Sequence, residues 1–134
     1  MQVLTTHLRA VVAVTAVALF GPLATPATAA APQSAAAAWT CERGAVCAYP
    51  NRNGTGKPCV WARDDKDWLS GNVVCSWSKK TKVKSVYNNG TTGANVGLYT
   101  ATEYEGREVA CLRMGQQINL SGSGAFIRSH TWEC

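Results

Sequence analysis

From Trp39 onward the apolar residues fall in short runs instead of long stripes. The main ones are Val46-Cys47-Ala48, Val83-Lys84-Ser85-Val86-Tyr87, Val96-Gly97-Leu98 and Ile127-Arg128-Ser129. Runs rich in β-branched and aromatic residues, spaced at about 8–12 residues and separated by turn formers, predict an all-β domain. The turns are Asn53-Gly54, Gly71-Asn72, Asn89-Gly90 and Ser121-Gly122-Ser123-Gly124, where asparagine and glycine accept the positive φ of a tight hairpin. Outside the N-terminal leader no eleven-residue window keeps a helical period. Residues 64–69 are expected to form a single helical turn.

The pattern also repeats. Tyr99 and Tyr104 enclose four residues, and Gly106 follows one residue later. Fifty positions earlier, Tyr49 and Gly56 stand in register, with Gly54 where the second aromatic would be. Each copy is followed by a serine in a strand-like setting, Ser85 and Ser129. A repeat of this length predicts two supersecondary units, residues 39–92 and 93–134, that bury their apolar faces against each other.

The N-terminal segment has a different composition. Arg9 precedes an apolar run from Ala10 to Phe20, then Gly21-Pro22 and the small-residue site Ala27-Thr28-Ala29. Residues 1–29 therefore read as a secretory signal peptide, and the alanine-rich residues 30–38 as a disordered leader. The apolar run of about 11 residues is too short for a bilayer of about 30 Å, so no membrane insertion is expected. Export places the chain in an oxidising compartment, and all six cysteines follow the leader. Six cysteines allow fifteen connectivities, and the sequence does not choose among them. Pairing neighbours gives Cys41 with Cys47, Cys59 with Cys75, and Cys111 with Cys134.

Thirteen basic residues against eight acidic ones make the chain moderately basic. Lys79, Lys80, Lys82 and Lys84 lie together and read as a solvated strand edge protected from edge-to-edge pairing. Their sharper reading is a patch for an acidic partner or an anionic cell envelope. The inventory disfavours an enzyme. His130 is the one histidine beyond the leader, beside Ser129, and is expected on a strand with a solvated ring. Asp64, Asp65 and Asp67 read as a helix start with local ion pairs. No metal site, cofactor or nucleic-acid partner is expected. The five tryptophans read mainly as core, and the three Asn-x-Ser/Thr triplets at Asn53, Asn89 and Asn119 as turns.

Tyr49, Gly56 and Ser85, and Tyr99, Tyr104, Gly106 and Ser129, resemble the Greek-key motif of the βγ-crystallin superfamily. The resemblance implies a disulfide-stapled double Greek-key β-sandwich. In it the glycine permits a folded-over hairpin, the first aromatic packs across it, and the serine ties it down. Cys41 to Tyr49, Ser85 to Gly90 and Ala110-Cys111-Leu112-Arg113 further resemble peptidase inhibitor family I36, the Streptomyces metalloproteinase inhibitor type. That resemblance implies a secreted inhibitor with an extracellular protease as partner, a thermolysin-like zinc metalloproteinase above all; the oligomeric state is left open by the sequence, with a monomer expected.

The implied reactive segment is Ala110, Cys111, Leu112 and Arg113, with Leu112 as the apolar residue such enzymes select. Cys59, Val60 and Trp61 form the alternative segment. The family's founding type carries a second cysteine just beyond the reactive bond, and Met114 to Ile118 offer none. Microbial relatives in the superfamily bind calcium near the motif serine. Lys80, Thr81 and Lys84, and Gly124, Ala125 and Arg128, supply no carboxylate there. A different functional class remains open: a secreted binding or antimicrobial module acting on envelope polymers through tryptophans and lysines.

Overall fold

The computed structural model describes residues 38–134; the expected signal peptide and nearly all of the expected leader lie outside the described residues. Seven short strands form two antiparallel sheets. β1 (Ala45–Tyr49), β2 (Cys59–Trp61), β3 (Ser85–Asn89) and β6 (Gln117–Asn119) lie in the order β2-β1-β3-β6, and β4 (Val96–Tyr99), β5 (Glu108–Leu112) and β7 (Ser129–Thr131) in the order β5-β4-β7. The halves are interlocked. β6 from the second half pairs with β3, with Val86 opposite Ile118, and Asp65 from the first half bridges to His130 of β7.

One apolar core lies between the sheets. Val46, Ala48, Trp61 and Val86 come from the first sheet, Val96, Leu98 and Leu112 from the second, and Trp68, Val83, Leu120 and Ile127 from the connections. β1 is buried along its whole length, unlike an ordinary half-exposed strand. Its inner face, Val46 and Ala48, joins the core. On its other face Cys47 bonds to Cys41, and Tyr49 packs edge-on against Trp39 at 5.8 Å while its hydroxyl donates to the Thr40 carbonyl. Burial, with the nearby Tyr87 hydroxyl second, pushes the Tyr49 phenol up to about 12.

The cysteines pair as Cys41–Cys47, Cys59–Cys75 and Cys111–Cys134, and none is free. Each staple stabilises the fold by limiting the unfolded chain. The turn asparagines have structural work: Asn119 donates to the Asn53 side chain and accepts from the Asn53 amide, which fastens the first hairpin to β6.

Two expectations change. Residues 64–69 form no helical turn. Asp65 is instead held extended by the bridge to His130, and a 3-10 turn stands at Ser76–Lys79. The lysine run is correspondingly not one strand edge, since Lys79 ends that turn and Lys82 and Lys84 flank the buried, bridged Val83.

Candidate functional site

β2 and β5 occupy equivalent places: each is the outer strand of its sheet, pairs with one neighbour, and carries a disulfide cysteine. An outer strand exposes a row of unpaired backbone donors and acceptors. On β5, Ala110 faces Leu98, Cys111 faces Gly97 and Leu112 faces Val96. Cys111 points outward and is bonded to Cys134, which lies across Gly97. A side chain at Gly97 would meet the Tyr99 hydroxyl at 2.8 Å and the Cys134 Cβ at 3.1 Å, so the glycine makes room for the staple.

Leu112 corrects an expectation. Alternation sends its side chain inward, where it is fully buried among the core residues. A protease pocket cannot receive it unless the core opens. The exposed apolar group of this segment is Met114, 49% accessible, which sequence reasoning passed over.

The turn carrying Met114 is tightly tied. The Arg113 amide donates to Gln116 Oε1 at 2.9 Å and the Gln116 amide to the Arg113 carbonyl at 3.0 Å. Gly115, at φ +79°, donates to the Asn88 carbonyl, and the Asn88 amide to the Gln116 carbonyl. The fully buried Asn88 side chain donates to the Leu112 and Ala94 carbonyls at 3.0 and 3.1 Å. The available signal was Met-Gly between two strands: an apolar residue directly before the glycine that takes the turn's positive φ.

In the alternative segment Cys59 is fixed to Cys75, and Val60 is half-buried. Trp61 is not available to a partner, because it stacks on Trp68 at 4.3 Å inside the core. His130 reverses its sequence expectation. Its ring is fully buried, accepts from Trp68 Nε1 at 2.8 Å through Nδ1, and donates through Nε2 to the Arg63 carbonyl at 2.9 Å. Desolvation lowers its pKa to about 4, against smaller opposing contributions from the Arg63 carbonyl and Asp64. The ring is therefore neutral and structural.

Ser129 is equally committed, accepting from the Tyr104 amide and donating to the Ala101 carbonyl. No nucleophile–base pair forms between these neighbours. Nor do Asp64, Asp65 and Asp67 act as one carboxylate set. The Arg128 guanidinium, 2.7 Å away, holds Asp67 low, whereas burial raises Asp65. The loop before Ser129 brings no carboxylate at Gly124, Ala125 or Arg128. In that loop the Gly122 carbonyl accepts from Arg52 and the Ser123 hydroxyl from Lys82.

Residues 34–111 match the family model described as Peptidase inhibitor family I36. The chain belongs to peptidase inhibitor family I36. Family I36 membership makes it a peptidase inhibitor and gives it a protease as partner. The match takes in the whole first half and ends at Cys111, so Met114 lies beyond it. No curated protein and no solved structure matches the chain.

Proposed function

We propose that this family I36 inhibitor acts outside the cell on thermolysin-like zinc metalloproteinases, through the outer strand formed by Ala110, Cys111, Leu112 and Arg113 and the turn that follows. One observation carries the reading. An accessible strand edge, stapled at Cys111, runs directly into a turn pinned by Asn88 that displays Met114.

Endoproteases bind their targets as extended chains, and an outer strand offers that backbone ready-made. Zinc enzymes of this type select an apolar residue after the scissile bond. Leu112 belongs to the core, so Met114 supplies that contact and Arg113 precedes it. A segment held by a disulfide and five backbone-directed hydrogen bonds loses little freedom on binding. Three disulfides suit an extracellular working place, and among the described residues no helix is long and apolar enough to cross a membrane.

The test has two parts. The purified oxidised protein should inhibit a thermolysin-like enzyme at micromolar concentration. Hydrogen exchange of the complex should show slowed amides at residues 110–116. Absence of inhibition, or unchanged exchange at those residues, would overturn the reading; salt-sensitive retention on cell-wall polymer without inhibition would favour the envelope-binding class.

A further inference from the structure

We propose that residues 69–74 form a second, independent protease-binding loop for the same class of zinc endoprotease, an inference that rests on the inhibitor reading above. The loop leaves the core at Trp68 and returns at Cys75, both fully buried. Its neck is closed by a hydrogen bond from the Cys75 amide to the Trp68 carbonyl at 2.7 Å, and Cys75 is stapled to Cys59 of β2. Asp67 secures the entry: its side chain accepts from the Leu69 amide and the Ser70 hydroxyl, and its carbonyl from the Ser70 amide. Arg128 holds Asp67 in turn.

Beyond this neck the chain stands free. Gly71 has φ +83° and nothing within 4 Å of where a side chain would begin. The tip carries Val73 and Val74, 37% and 54% exposed, the adjacent pair among the four exposed large apolar residues of the described chain. Val73 lines two clefts. One, of about 690 Å³, is bounded by Trp61, Asp65 and Glu103, and the other, of about 330 Å³, by Pro58, Val60 and Trp77. The loop is thus a ridge with open space on both flanks, the shape that enters a protease cleft.

Residues 69–75 carry no charge, and two neighbouring valines in water bring no folding gain. An enzyme that selects an apolar residue after the scissile bond finds one at either valine, on a short loop whose two ends are already fixed by the fold. The loop also lies within the part of the chain that matches family I36.

Single and double variants separate the two segments: Met114→Asp, Val74→Asp and the pair together. Both substituted residues are exposed, so unchanged melting temperatures should confirm intact folds. Each single variant should still inhibit, while the pair should weaken inhibition by about a hundredfold or more, because a carboxylate is driven from an apolar pocket. If Met114→Asp alone abolishes inhibition, the loop does not act and the inference is overturned, while the first segment stands. Loss with Val74→Asp alone would support the loop and remove the segment around Met114. A wild type without any inhibition would overturn the functional reading and this inference with it.

Discussion

Asn53 and Gly54 of the first hairpin have φ of 57° and 63°; Glu103 and Tyr104 of the second have 57° and 62°. The serines match as closely. Ser85 Oγ accepts from the Gly54 amide at 3.0 Å and donates to the Asn51 carbonyl at 2.6 Å, and Ser129 Oγ accepts from the Tyr104 amide at 3.1 Å and donates to the Ala101 carbonyl at 2.6 Å. The side chains above this shared backbone differ. In the second hairpin Tyr104 packs on Tyr99 at 6.4 Å. In the first, Trp39 comes from outside the hairpin, packs on Tyr49, and donates its amide to the Gly54 carbonyl.

A Cβ at Gly54 would lie 2.5 Å from the Trp39 ring and main chain. Position 54 is therefore glycine for two reasons, its positive φ and the tryptophan above it. The two halves show that the hairpin requires a backbone shape and an aromatic cover, and that the cover can come from either side of the turn.

The sharpest way to break this comparison is to make the hairpins alike. Gly54→Tyr should destabilise by about 4 kcal/mol, combining left-handed strain with a clash against Trp39. Denaturant unfolding measures it, and a cost near zero would mean that Trp39 is not the cover.

The next effect belongs to the second half alone, where His130 follows the motif serine as Val86 does in the first. Its folded pKa of about 4 lies below the ordinary 6.5, so the native state resists protonation. Its contribution is present in full above pH 6.5 and is lost as pH falls towards 4, on the order of 3 kcal/mol in all. Protonation would also turn Nδ1 into a donor facing the Trp68 N–H. Melting curves between pH 4 and 7 should show the loss. His130→Val, which copies the first half, should flatten that dependence while lowering stability at neutral pH.

Ser85→Ala and Ser129→Ala should then cost about 2 kcal/mol each, since each strands an amide and a carbonyl of its hairpin. Unequal costs would show that the hairpins are not equivalent. The smallest effect is the converse of the first: Tyr104→Gly should change stability by no more than about 1 kcal/mol. The lost aromatic contact is offset by relief of the left-handed tyrosine.

The tyrosines, glycines and serines of the repeat were legible because each acts within its own hairpin or on the strand that closes it. Trp39 was not legible as the missing aromatic, since nothing local links it to Gly54. His130 looked solvated because its ring partners, Trp68 and the Arg63 carbonyl, come from the other half. Leu112 looked available because its inward direction depends on the pairing of β5. There a register shift places Glu108 opposite Tyr99 while Ala110 faces Leu98. Contacts that cross between the halves also decide which apolar residues reach the surface, and they leave Met114, Val73 and Val74 outside while Leu112 and Trp61 are taken in.

The central claim is that stapled, exposed segments of this fold occupy the cleft of a zinc endoprotease. Titrating a thermolysin-like enzyme of known active-site concentration with the purified oxidised protein tests it most directly. The account predicts activity falling in proportion to inhibitor added until none remains, at no more than one equivalent. Activity unchanged in an excess of the protein would contradict it.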